Sequence, residues 1–185
     1  MAEQKRKKVG LALGSGGVRG LAHIGVLRAL IKNNIPIDYI AGCSVGAFIG
    51  SYYALYQDLD KLIRTTLDNK REKLAALLEP TWRGGIIKGE KVFELFKKYF
   101  GEAEFKDTKI PLRIVATDLA SGEREVFSQG KIVDAVRAST AVPYVFAPFI
   151  QGDKILVDGG ISNPVPDNIV KAMGAEVVIA VNLDN

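Results

Sequence analysis

After a polar N-terminal stretch, Lys8 to Leu13, apolar from Val9 on, reads as a short buried strand. Gly14-Ser15-Gly16-Gly17 interrupts it as a loop. Val18, Leu21, Ile24, Leu27, Leu30 and Ile31 then recur at helical spacing, and that helix is expected to stop near Asn33-Asn34, before Pro36. Tyr39 to Gly42 reads as a second strand and Val45 to Tyr56 as a second helix. Ala47, Gly50 and Ala54 let that helix lie close to a sheet. Asp58 and Asp60 are expected caps for a stretch containing Leu59, Leu62 and Ile63. Leu74 to Leu78 is a further helical piece, stopped by Pro80, and Thr81 to Gly85 is a loop holding Trp82. Glu90 to Phe100 carries Val92, Phe93, Phe96 and Phe100 on one face, with Gly101 as a C-terminal cap.

Beyond this helical middle the pattern returns to strands. Leu112 to Thr117, then Arg124 to Phe127 after a Ser121-Gly122 turn, are followed by a short helix, Lys131 to Ala138. Phe149-Ile150 and Ile155 to Val157 flank a hairpin turn at Gln151-Gly152-Asp153. Asp158-Gly159-Gly160 closes the latter strand. Asp167 is expected to cap a helix to Met173, and Val177 to Val181 is the last strand. This order predicts an α/β fold, a mostly parallel sheet with helices on both faces.

Composition narrows the setting. The 185 residues suit a single domain, 1–185, with a sizeable core. Lys and Arg number 25 against 21 acidic residues, a net charge of +4. Lys5, Arg6, Lys7 and Lys8 form a basic run within an N-terminal tail, 1–8, read as solvated, or as weakly attracted to an anionic membrane. The single cysteine, Cys43, excludes an intrachain disulfide and favours a reducing cytoplasm. No segment has the length or apolarity of a signal-peptide core or a membrane span, and no cluster has metal-ligand spacing. No metal, cofactor or nucleic-acid partner is expected.

The chemistry begins at Gly42-Cys43-Ser44-Val45-Gly46, a serine between strand and helix, the setting of an exposed nucleophile on a sharp turn. A serine normally borrows a histidine as base. The only histidine, His23, precedes Ser44 in an apolar stretch of helix and reads as a packed structural residue. The loop from Gly14 to Gly20 offers backbone N–H groups to an anion, either a phosphate or an ester oxyanion. A dinucleotide site wants an acid at the end of the second strand, whereas Asp38 precedes that strand, and no P-loop lysine follows Gly17. Adjacent parallel strands would set this loop beside Ser44, and that conjunction points to acyl transfer. The base is then sought among carboxylates at strand ends: Asp158 first, and Asp118 second, with Asp118 better suited to capping the Ser121-Gly122 turn. An aspartate with an ordinary pKa near 4 is a poor base at neutral pH, so a Ser–Asp dyad demands a tight, largely dry pocket, which a lipid ester suits.

Four blocks, in order, carry a family resemblance: Gly16-Gly17-Val18-Arg19-Gly20-Leu21-Ala22-His23-Ile24-Gly25-Val26-Leu27; Gly42-Cys43-Ser44-Val45-Gly46; Ala138-Ser139-Thr140-Ala141-Val142-Pro143-Tyr144-Val145-Phe146-Ala147-Pro148; and Asp158-Gly159-Gly160. In these the chain resembles the patatin-like phospholipases, particularly short bacterial members. The resemblance implies a three-layer fold and hydrolysis of lipid carboxyl esters through a Ser44–Asp158 dyad and a covalent acyl-enzyme. It implies an oxyanion site on the loop of Gly16, Gly17, Val18 and Arg19, formed by the N–H groups of Gly16 and Gly17, with Arg19 ordering the loop. It gives His23 no catalytic part. Ser15 stands where the family motif has its first glycine, and Cys43 and Val45 replace the commoner small neighbours of the serine. Cys43 is not expected to be a nucleophile, since the elbow exposes only its central side chain. Many members continue past the strand matching Val177–Val181, so their C-terminal helices are expected to be absent here. The pocket wall is expected to draw on residues from Trp82 to Phe100. A lipid ester substrate and peripheral membrane contact follow as expected partners. A non-catalytic lipid-binding protein at a membrane surface is the alternative.

Overall fold

The computed structural model describes residues 6–68 and 89–183. The strands are β1 (Val9–Leu13), β2 (Tyr39–Cys43), β3 (Leu112–Asp118), β4 (Arg124–Phe127), β5 (Phe149–Gln151), β6 (Lys154–Asp158) and β7 (Val177–Val181). The helices are α1 (Leu21–Lys32), α2 (Val45–Tyr56), α3 (Leu59–Asp68), α4 (Glu90–Phe100), α5 (Ile132–Ser139) and α6 (Asp167–Ala172). The predicted pieces at Leu74–Leu78 and around Trp82 lie outside the described residues.

The pairing path runs β5-β6-β3-β2-β1-β7, with β4 also on β3. β7, β1, β2 and β3 are mutually parallel, while β4, β6 and β5 join by antiparallel pairs. Strand alternation gives the sheet two apolar faces. Leu11, Leu13, Ile40 and Ile114 enter the larger core with residues of α1, α2, α4 and α5, whereas Ala12, Ala41 and Val115 pack with Ile169 and Val170 of α6. Helices thus cover both faces, as the sequence predicts.

The register around β3 builds the site. β2 pairs with Leu112 to Val115, and β6 with Ala116 to Asp118. β4 pairs with Ile114 to Thr117 and overlaps both. A strand has two edges, so β4 takes one and β2 and β6 share the other, end to end. β2 runs parallel to β3 and β6 antiparallel, so their C-terminal ends meet head to head. Cys43 lies opposite Val115 and Asp158 opposite Ala116.

Several local expectations are corrected. Of the residues at helical spacing, Ile24, Leu27 and Leu30 are buried, whereas Val18, Leu21 and Ile31 are exposed; Val18 lies in a 3₁₀ turn, Gly17–Gly20, that precedes α1 and does not share its phase. Asp58 caps α3 by accepting from Lys61 N–H at 2.8 Å, but Asp60 lies within the first turn. Pro166, not Asp167, holds the N-cap position of α6. The basic run is in part tied down: Arg6 makes a bidentate pair with Asp38 at 2.6 and 2.7 Å, and Lys8 N–H donates to Glu176 at 2.9 Å. Lys5 lies outside the described residues. Asp38 also accepts from Val9 N–H at 2.8 Å, and the Arg6 bond holds its carboxyl below the usual carboxylate range. It is a latch at the start of β1, at the sheet edge away from Ser44.

Candidate active site

Ser44 follows the last residue of β2 and is the N-cap of α2, at φ 55° and ψ −122°. That conformation is one a side chain adopts only under constraint. A Cβ on Gly46 would collide with the Leu13 carbonyl, and one on Gly42 with the backbone of Ala47, so both flanking glycines are required by close approach. An N-cap serine usually turns its hydroxyl onto the helix N–H groups. The Ser44 hydroxyl makes no such bond. It donates instead to Asp158 Oδ2 at 2.6 Å, across 114 residues. Both residues are buried.

Asp158 ends β6, and its carboxylate is divided. Oδ1 accepts from Gly160 N–H at 2.8 Å and caps the short turn Gly159–Ile161, which leaves Oδ2 for the serine. Its main chain is held as well: the N–H donates to Ala141 O at 2.9 Å, and the carbonyl accepts from Thr117 Oγ1 at 3.0 Å. Gly159 must be glycine, since a Cβ there would meet the Val115 carbonyl.

The glycine loop leaves β1, the parallel neighbour of β2, at the same edge. Gly14 N–H donates to Val181 O at 3.1 Å and Ser15 N–H to Pro164 O at 2.8 Å. Gly16 and Gly17 have φ of 153° and 53°. As the first residues of their turn, Gly17 and Val18 have N–H groups with no carbonyl behind them to bond. Gly17, Val18 and Arg19 are exposed. Arg19 holds the loop through its main chain, with N–H to Gly16 O at 3.0 Å. Its guanidinium has no hydrogen bond among the described residues, so the bond that ties Arg19 to the loop is this main-chain one. Next to this loop, a Cβ on Gly160 would lie 3.3 Å from Ser15 Cβ, so the loop also abuts the Asp158 turn.

His23 is fully buried, and its Nε2 lies 2.8 Å from Gly14 O. A carbonyl only accepts, so Nε2 carries the proton and Nδ1 is a bare acceptor, with no partner among the described residues. Burial pushes the imidazole below its usual range, against the smaller opposing effect of the Gly14 bond. Asp118 caps its turn, accepting from Ala120 N–H at 3.2 Å and Ser121 Oγ at 3.0 Å. Cys43 is buried. The expected wall from Trp82 to Phe100 is described from Gly89 onward, where Phe96, Tyr99 and Phe100 of α4 surround Phe48 of α2 with ring centroids 5.0 to 5.5 Å apart.

Two supporting side chains have no assigned role in the sequence reading. Ser139, at the end of α5, accepts from Ser44 N–H at 2.8 Å and donates to Val115 O at 2.6 Å. Arg137, buried on the same helix, donates to Ala147 O at 2.9 Å and ties down the loop after α5. Ser139 stands within the third quoted block, but its partner is 95 residues away.

The model of the patatin-like phospholipases matches residues 11–169, which spans the glycine loop, Ser44 and Asp158. The chain belongs to the patatin-like phospholipase family. It is 38% identical over 178 residues to an uncharacterized NTE family protein of Mycobacterium tuberculosis, covering 96% of this chain and 49% of that one. It is 30% identical over 186 residues to a lysophospholipase of Pyricularia oryzae, covering 96% of this chain and 12% of that protein. The chain thus spans about half the length of its mycobacterial relative. VipD from Legionella pneumophila shares the fold, with a TM-score of 0.62 at 17% identity over 85% of this chain and 46% of VipD. These likenesses agree with the patatin-like α/β architecture. Among the described residues no helix is long and apolar enough to cross a membrane.

Proposed function

We propose that this chain is a serine acyl hydrolase of lipid carboxyl esters, of phospholipid, lysophospholipid or related type. The observation that carries the reading is the 2.6 Å bond from Ser44 Oγ to Asp158 Oδ2, with Oδ1 engaged elsewhere. Membership of the phospholipase family and the lysophospholipase named among its relatives support the substrate class.

The chemistry follows from the geometry. Ser44 Oγ attacks the ester carbonyl carbon as its proton passes to Asp158 Oδ2. The negative charge that develops on the carbonyl oxygen meets N–H groups of the Gly16–Arg19 loop, at the positive end of a helical turn. Collapse breaks the bond to the leaving alkoxide, which takes the proton back from Asp158, and an acyl-Ser44 ester remains. Water attacks that ester with Asp158 again as base, and Ser44 and a fatty acid are released. Asp158 can serve as base because it is buried and aligned on the hydroxyl before substrate arrives.

Contact with a lipid surface belongs to the same proposal. Val18, Val142, Tyr144 and Ile161 are exposed apolar residues in the segments that carry the site. Val18 follows Gly17, Ile161 ends the Asp158 turn, and Val142 follows the carbonyl that holds Asp158 N–H. Hydrolysis of p-nitrophenyl esters by purified wild-type and Ser44→Ala protein tests the reading. Turnover that depends on Ser44 supports it; equal turnover by both, or lipid binding by the wild type with no turnover across chain lengths, would overturn it.

A further inference from the structure

We propose that Ser139 is a positioning residue that sets the Ser44–Asp158 geometry by standing in for a missing rung of the sheet. The inference rests on the dyad reading above.

The ladder between β2 and β3 carries the argument. At its start Ile40 N–H donates to Pro111 O at 3.0 Å. In a parallel pair such bonds recur every two residues on each strand. Two repeats bring Ser44 N–H opposite Val115 O. That direct bond is not made. Ser44 leaves the strand at φ 55° to begin the elbow. The Ser139 hydroxyl occupies the gap, accepting from Ser44 N–H at 2.8 Å and donating its one proton to Val115 O at 2.6 Å. The donor sense is fixed at both ends, because an amide N–H only donates and a carbonyl only accepts. Ser139 is fully buried, so its own proton is committed to the protein and is not offered to substrate.

The same helix end holds the other half of the dyad. Two residues on, Ala141 O accepts from Asp158 N–H at 2.9 Å. Ser139 Oγ therefore holds Ser44 and Ala141 O holds Asp158, at the junction where β2 and β6 meet on β3. Removing the hydroxyl frees the Ser44 amide and the Val115 carbonyl together and lets the elbow shift relative to Asp158. A shift on the order of 1 Å in such a site reduces turnover about a hundredfold.

The test is kcat per active site for Ser139→Ala and Thr140→Val, with sites counted by fluorophosphonate titration, alongside turnover per mole of Ser44→Ala protein. Thr140→Val removes a hydroxyl from the same helix end that bonds only to α5 carbonyls. The expected result for Ser139→Ala is a kcat per site down about 10- to 100-fold with KM within about twofold. Thr140→Val should keep kcat within about twofold even where its melting temperature falls. Should Ser139→Ala not yield folded protein, Ser139→Cys carries the same comparison, since a thiol keeps the volume but bonds weakly. A Ser139 variant that is folded and turns over within twofold of wild type per site, while Ser44→Ala is inactive, would overturn this role and leave the dyad standing. Wild-type turnover by Ser44→Ala would instead remove the dyad itself.

Discussion

Asp158 gives one carboxylate oxygen to Ser44 Oγ at 2.6 Å and keeps the other on Gly160 N–H at 2.8 Å. The second bond fixes the rotation of the carboxylate, so the oxygen facing Ser44 stays on the path its proton would take. Asp158→Asn keeps the shape and removes the basic oxygen. General-base catalysis contributes about 10² to 10⁴ in rate. The expected outcome is a kcat for ester hydrolysis reduced by about that factor, with a melting temperature near the wild-type value. Asp118→Asn, at the turn after β3, is expected to leave kcat within about twofold. The reverse ranking in a kinetic comparison would reassign the base.

Backbone strain at Ser44 predicts a separation of stability from activity. Holding a non-glycine residue in this region costs on the order of 1–3 kcal/mol. Ser44→Gly and Ser44→Ala both lose the Asp158 bond, but only glycine relieves the strain. Both should be inactive, with Ser44→Gly the more stable by about 1 kcal/mol in urea titration. Equal stability would mean that the elbow is not strained.

His23 predicts a pH dependence of stability. It is buried and neutral, with its folded pKa below the ordinary 6.5, so the unfolded chain binds its proton at higher pH. The stability it contributes is complete above the unfolded pKa and is lost as pH falls from there toward the lowered folded value. The loss is at most about 1.4 kcal/mol per pH unit. Urea midpoints between pH 7.5 and 5.5 should fall for the wild type and fall less for His23→Gln, whose amide can still donate to Gly14 O. Parallel slopes would refute the assignment.

The proposed lipid contact rests on exposed apolar residues in the segments that carry the site. Tyr144 is 92% exposed and sits at φ 64°. An aromatic held outward suits the boundary between lipid head groups and water. Replacing it by Asp should lower turnover of vesicle substrate relative to a soluble ester by about fivefold, roughly 1 kcal/mol of surface binding. An unchanged ratio would remove Tyr144 from the contact.

Local features of the site were legible before the fold. Glycines around Ser44 and along the loop after β1 mark close approaches within a few residues, and helix boundaries at Val45–Tyr56 and Glu90–Phe100 followed from periodicity and caps. Asp158 was recognisable at a strand end, but the direction of that strand was not. It reaches Ser44 because β6 runs antiparallel on the overhang of β3, a matter of register between distant segments. Ser139 was hidden for the same reason, since its role exists only once β2 is paired with β3. Val18 lies off the helical face that the periodic pattern implies because a 3₁₀ turn precedes α1.

The central claim, that Asp158 activates Ser44, is tested most directly by fluorophosphonate labelling followed by intact-mass measurement on wild type, Ser44→Ala and Asp158→Asn. The account predicts one adduct on the wild type, borne by Ser44, none on Ser44→Ala, and labelling of Asp158→Asn slowed about a hundredfold or more. Labelling of Asp158→Asn at the wild-type rate, or an adduct on Ser44→Ala, would contradict it.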